Sequence, residues 1–143
     1  CVSQCNKEKT KLYVDLILPY AKRILTTAKK ENCPTIFFPK DFGFGISYIG
    51  KDICDYVSID WHTSIFHARE ILNNEIGIQG NMDPRIFYED YKKIETYLNT
   101  LTNFGNQNFD WIFNLGHGFL PDIDHKKVKF VVEWIKNKNW NRA

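Results

Sequence analysis

Residues 111–118 read Trp-Ile-Phe-Asn-Leu-Gly-His-Gly, and this stretch decides how the rest of the chain is interpreted. Its first four residues have the apolar character of the end of a buried strand, and Gly116-His117-Gly118 then forms a loop in which two glycines flank one imidazole. Glycine permits unusual backbone angles and the close approach of another group. A histidine in such a loop, directly after a strand, predicts a functional side chain at the strand's carboxyl end.

Upstream of this stretch, short apolar runs alternate with segments of helical periodicity. The apolar runs predict strands at residues 35–38, 56–59, 76–80 and 111–114. The first run is typical of a strand buried on both faces. The periodic segments predict helices at residues 8–30, 46–53 and 63–72, after Asp83-Pro84 and after Asp124. Pro19 should kink or divide the first helix, because proline lacks a backbone donor. The alternation predicts an α/β fold with a parallel sheet and right-handed crossovers.

The composition is that of an ordinary globular domain. The chain has 143 residues, a formal net charge of +2 and 25% charged residues. This length is enough for one domain with a real core. Because the charges are interspersed, neither nucleic acid nor an anionic membrane is indicated as a partner. No apolar run reaches the ~18 residues of a membrane span. The four cysteines lack a metal-binding spacing, and we interpret them as free, mostly buried thiols.

Polar side chains follow every predicted strand at the point where it ends. They are Lys40, Asp60, Asn81 and His117. The carboxyl ends of parallel strands meet at one edge of the sheet, and ligands bind there in barrels and in open sheets alike. The sequence therefore predicts a single site at this edge, which we call the rim.

Four strands are too few for a complete (β/α)8 TIM barrel, which needs roughly 250 residues. They would also leave two open parallel edges, which natural proteins normally close or cover. We therefore interpret residues 1–143 as the C-terminal half of a single barrel domain, with the N-terminal half absent from this sequence.

Five motifs resemble the uroporphyrinogen decarboxylase family in their order and spacing. They are Leu18-Pro19-Tyr20, Phe38-Pro39-Lys40-Asp41, Ile59-Asp60-Trp61, Ile78-Gln79-Gly80-Asn81-Met82-Asp83-Pro84, and Asn114-Leu115-Gly116-His117-Gly118 with Pro121-Asp122 after it. The resemblance covers essentially the whole chain, and the last two motifs together are highly specific.

The resemblance implies a cofactor-independent, metal-free lyase of haem and chlorophyll biosynthesis. Enzymes of this family are TIM barrels, usually homodimers, which remove the four acetate carboxyls of uroporphyrinogen III as CO2 and give coproporphyrinogen III. They work in the cytoplasm or, where it exists, the plastid. The family's arginine-rich motif, its pyrrole-binding aspartate and a pocket tyrosine would precede Cys1.

The resemblance also implies roles for individual residues. Ser3 and His117 match substrate-binding positions of the family, and His117 could also act as a proton relay. We expect Lys40, Asp60 and Asn81 to support the rim. Lys40 could neutralise a substrate carboxylate, whereas Asp60 and Asn81 would brace strand ends and loops.

Two other functions remain open. A corrinoid-type methyltransferase of the same superfamily would hold zinc with a His-x-Cys pair near residues 38–40 and a cysteine near the last strand. This chain has Pro39, Lys40 and His117 at those places, which disfavours that class. The second alternative is a non-catalytic, truncated barrel that serves as a partner chain. An intact arginine motif and aspartate upstream of Cys1 would favour the enzyme instead.

Overall fold

The computed structural model describes residues 7–30, 32–72 and 74–141, in which helices alternate with short strands. The helices are α1 (Lys7–Leu16), α2 (Leu18–Lys30), α3 (Ile65–Leu72), α4 (Tyr91–Thr100), α5 (Thr102–Gln107) and α6 (His125–Asn137). The strands are β1 (Ile36–Phe37), β2 (Tyr56–Ser58), β3 (Gly77–Gln79) and β4 (Trp111–Ile112). Two 3-10 helices, Gly43–Tyr48 and Pro84–Tyr88, follow β1 and β3.

The four strands form one parallel sheet in the order β1-β2-β3-β4. Crossovers between parallel strands are right-handed as a rule, and with strands in chain order such crossovers place the connecting helices on one face, as in a TIM barrel and unlike a doubly wound sheet. The predicted fold class is therefore confirmed: the described residues form a four-stranded parallel portion of a TIM-barrel-like α/β fold.

The helix boundaries follow from local chemistry. As predicted, the first helix is divided, with α1 ending at Leu16 and α2 beginning at Leu18. Pro19 lies in the first turn of α2, where its missing N–H needs no helical partner. Asp124 caps α6 as predicted, because its side chain accepts a hydrogen bond from the Lys126 N–H.

Two helix predictions were wrong in detail. Asp83-Pro84 opens only the short 3-10 helix, and α4 begins later, where the Asp90 side chain accepts a hydrogen bond from the Lys93 N–H. The short helix predicted at residues 46–53 is instead a 3-10 turn over Gly43–Tyr48. It ends before Gly50, whose carbonyl accepts a hydrogen bond from Ile53 N–H in a separate turn.

The sheet has one covered face and one partly uncovered face. Phe37, Val57, Ile78 and Trp111 share a row of the register and belong to or pack against the core that the helices cover. Phe38 and Ile112 lie on the other face, at opposite edges of the sheet, and expose 42% and 37% of their surface. The prediction that the first strand is buried on both faces was therefore wrong for the described residues, since Ile36 and Phe38, on the inner face, are 43% and 42% exposed.

The remaining general predictions concern the cysteines and the membrane. Cys54 is fully buried, and burial raises the pKa of its thiol to about 11, whereas Cys33 is exposed. Both are free thiols, so the expectation of buried cysteines holds for one of the two that are described. Within the described ranges, no helix is both long and apolar enough to pass through a membrane.

Candidate functional site

The carboxyl ends of the strands bring the predicted rim residues into two groups. Lys40, after β1, lies beside His117, in the loop after β4, with 3.5 Å between Nζ and Nε2. Asp60 and Asn81, after β2 and β3, are buried beneath these loops. Ser3, the fifth predicted site residue, lies outside the described residues.

Gly116 fixes the position of the His117 loop. Its N–H donates to the Met82 carbonyl at 2.9 Å, and Leu115 forms a parallel bridge with Met82, so the pairing of β3 with β4 continues past the strands. A Cβ atom at Gly116 would lie 2.3 Å from the Trp61 nitrogen and 2.8 Å from the Asp60 carbonyl carbon. Only glycine allows this approach, which explains the first glycine of the Gly-His-Gly motif.

The His117 ring has contacts on both nitrogens. Nδ1 lies 3.4 Å from the Gly118 carbonyl, which can only accept a hydrogen bond. A ring that donates from Nδ1 leaves the Nε2 lone pair facing the Lys40 ammonium. Both side chains are exposed, so an incoming carboxylate can bind the ammonium of Lys40 and, when the ring is protonated, the Nε2–H of His117.

Asp60 and Asn81 hold the loops of the rim together. One Asp60 carboxylate oxygen accepts the Asp41 N–H and the other accepts the His62 N–H, each at 3.0 Å. The Asn81 amide donates to the Asp60 carbonyl at 2.8 Å and also to the Thr63 carbonyl. Since both side chains are buried and bond to backbone groups, these contacts are those of bracing residues.

The rim also contains a group that sequence reasoning missed. His62 stacks on the Trp61 ring with 3.8 Å between the ring centroids, and the Arg85 guanidinium lies 4.0 Å from the Trp61 centroid. Asp83 binds Arg85, with 2.7 Å between Oδ2 and Nη2. Their positions in the sequence could have indicated them, because these residues follow the ends of β2 and β3 as the predicted site residues do.

Three ligand-type groups at the rim come close enough to be considered for a metal ion. The carboxylates of Asp41 and Asp60 and the imidazole of His62 place one atom each within 4.8 Å of one another. Both Asp60 oxygens already accept backbone N–H groups. His62 lies in the turn before α3. The hydrogen bonds of a turn therefore explain why these three side chains lie close together.

A parallel sheet with helices on one face and a polar rim defines a barrel-type protein whose site lies at the carboxyl ends of its strands. The sequence profile described as Uroporphyrinogen decarboxylase (URO-D) matches residues 5–138. The chain belongs to the uroporphyrinogen decarboxylase family.

Several bacterial relatives carry the name Uroporphyrinogen decarboxylase. The one from Chlorobium luteolum is 37% identical over 132 residues, which cover 89% of this chain and 38% of the relative. Those from Vesicomyosocius okutanii and Trichlorobacter lovleyi are 33% and 32% identical, and each match covers 86% of this chain and 36% of the relative. The chain thus spans less than two fifths of the length of these relatives.

Proposed function

We propose that the chain is the C-terminal part of a longer lyase that decarboxylates the four acetate side chains of uroporphyrinogen III to give coproporphyrinogen III. The observation that carries this proposal is the Lys40–His117 pair, in which an ammonium and an imidazole are in contact at the rim. The chain that contains this pair belongs to the uroporphyrinogen decarboxylase family. The partly uncovered inner face of the sheet supports a longer barrel. The length of the relatives, more than twice that of this chain, supports it as well.

The reaction needs an acceptor for the electrons of the breaking C–C bond. Protonation of a pyrrole carbon turns that ring into a cation that accepts them, so the substrate serves as its own electron sink and we propose no cofactor. The protein must bind up to eight carboxylates, hold the pyrrole N–H groups and deliver protons. Lys40 and His117 would bind one of these carboxylates, and Ser3 would donate a hydroxyl to another.

We assign His117 a binding role ahead of a general-acid role. Its Nε2 faces Lys40 and its Nδ1 is engaged by the Gly118 carbonyl, so a ring that carries protons on both nitrogens would donate its Nε2–H to a carboxylate bound beside the ammonium. A proton relay through the same ring is the second role. Homodimer formation and a location in the cytoplasm or plastid belong to the same proposal.

Replacement of His117 in the longer protein tests the function. We expect His117→Asn to lower kcat/KM for uroporphyrinogen III about tenfold or more, mainly through KM, because one charge-assisted contact is lost. The thermal midpoint should not change, since the ring is exposed. Initial rates of coproporphyrinogen formation, separated by chromatography, measure the effect.

His125→Asn is the matched control. His125 lies at the start of α6 with a side chain that is 90% exposed, and its replacement should leave both constants unchanged. Wild-type kinetics in His117→Asn would remove His117 from the site. A wild-type protein that does not decarboxylate uroporphyrinogen III at all would refute the function and favour the non-catalytic partner chain.

A further inference from the structure

Arg85 is a rim cation that the family motifs do not account for. It follows Asp83-Pro84 in the 3-10 helix after β3, and its side chain is 60% exposed. The expectation from the sequence was that guanidinium groups for substrate carboxylates lie before Cys1. A guanidinium at the rim therefore adds a group of the chemical type that the proposed substrate requires.

One edge of the Arg85 guanidinium is held by Asp83. Nε lies 3.1 and 3.0 Å from the two Asp83 oxygens, Nη2 lies 2.7 Å from Oδ2, and the Arg85 backbone N–H donates to Oδ1 at 2.9 Å. Burial alone would raise the pKa of the Asp83 carboxyl, but the hydrogen bonds and charge of Arg85 hold it below its usual value. Asp83 thus remains ionised and fixes the orientation of the guanidinium.

The face of the same guanidinium rests on Trp61. The Arg85 Cζ atom lies 4.0 Å from the ring centroid, a cation–π distance. With one edge bonded and one face stacked, the side chain is ordered before any ligand arrives, so little rotamer entropy remains to be lost on binding. The opposite edge, made by Nη1 and the outer N–H of Nη2, has no hydrogen-bond partner in the described part of the chain.

Trp61 connects this cation to the His117 loop. The Arg85 guanidinium stacks on the Trp61 ring, and Gly116 packs against the Trp61 backbone. Met82 and Leu115 pair across the same two loops. Arg85 is therefore linked through Trp61 to the loop of His117, and both side chains lie on loops at the carboxyl ends of the strands.

We propose that Arg85 binds a peripheral carboxylate of the tetrapyrrole substrate through its Nη1–Nη2 edge, as an affinity determinant that is distinct from the Lys40–His117 pair. This inference rests on the proposed function. Asp83 and Trp61 act as positioning residues for Arg85, and the carboxylate accepts two parallel N–H bonds from the fork.

Steady-state kinetics of the longer protein with uroporphyrinogen III test the inference. Arg85→Gln should raise KM about tenfold, because a charge-assisted contact is lost, while kcat changes less than about twofold. Arg85→Lys, which keeps the charge and loses the fork, should give an intermediate KM. Arg23→Gln is the matched control, because Arg23 is exposed in α2, before the first strand, and its KM should equal that of the wild type.

The outcomes separate this inference from the proposed function. Active wild-type protein with an unchanged KM in Arg85→Gln would overturn the role of Arg85 and leave the function standing. A lower thermal midpoint and lower kcat with an unchanged KM would show that Arg85 only braces its loop, which also overturns the inference. An inactive wild-type protein would refute the function and this inference with it.

Discussion

Gly116→Ala is expected to destabilise the longer protein by about 3 kcal/mol and to lower its kcat/KM about a hundredfold. The added methyl group would lie 2.3 Å from the Trp61 nitrogen and 2.8 Å from the Asp60 carbonyl carbon. Both are backbone atoms, which cannot move aside as a flexible side chain would. The loop after β4 must therefore shift, and with it the contact between His117 and Lys40.

The same motif contains the control for this substitution. A Cβ atom at Gly118 would meet no atom of the described chain within 4 Å, so Gly118→Ala should change stability by less than about 0.5 kcal/mol. Urea unfolding gives the stability of both variants, and decarboxylation rates give their activity. Equal effects of the two substitutions would show that the close contact of the two loops does not position the site.

Asp110→Ala is expected to cost about 3 kcal/mol of stability, because it leaves a buried guanidinium without its counter-ion. Arg69 of α3 is only 10% exposed in its side chain and bonds Asp110 at 2.7 and 3.1 Å. Arg69 also donates to the Ile76 carbonyl at 3.1 Å. One side chain thus ties α3 to the starts of β3 and β4, at the end of the sheet opposite the rim.

Glu133→Ala provides the comparison for Asp110→Ala. Glu133 pairs with Lys129 on the surface of α6 at 3.7 Å, and both side chains are largely exposed. Its removal should change stability by less than about 0.5 kcal/mol. Urea unfolding of the two variants measures both losses of stability. Similar losses would mean that burial does not determine how much the Arg69–Asp110 pair stabilises the protein.

Much of the fold could be predicted because its signals are local. The alternation of apolar runs and helical patterns locates every strand to within two residues at each end, and the Pro19 break and the Asp124 cap depend on neighbouring backbone groups alone. One error arises where two local signals compete. Asp83 and Asp90 are both good caps, and only packing decides which of them starts the long helix.

The site could be predicted by position and only partly by contact. The rule that side chains after parallel strands meet at one edge brings Lys40 and His117 together, which the structure places in contact. The stacking of Arg85 on Trp61 depends on the paths of two loops from different strands. Neither residue type nor spacing specifies such a path, so this contact was found only in three dimensions.

We propose that these strands form part of a larger barrel and need the rest of it to fold. Phe38 and Ile112 leave apolar surface on the inner face, and β1 and β4 are edge strands of the described sheet. Exposed parallel edges and an uncovered apolar face favour association over an independent folded state.

Unfolding of residues 1–143, expressed alone, tests this claim most directly. Circular dichroism during urea titration, combined with light scattering for oligomeric state, should show aggregation or a gradual transition without a cooperative midpoint. A soluble monomer that unfolds in one cooperative step would contradict the claim, because the chain would then be a complete folding unit by itself.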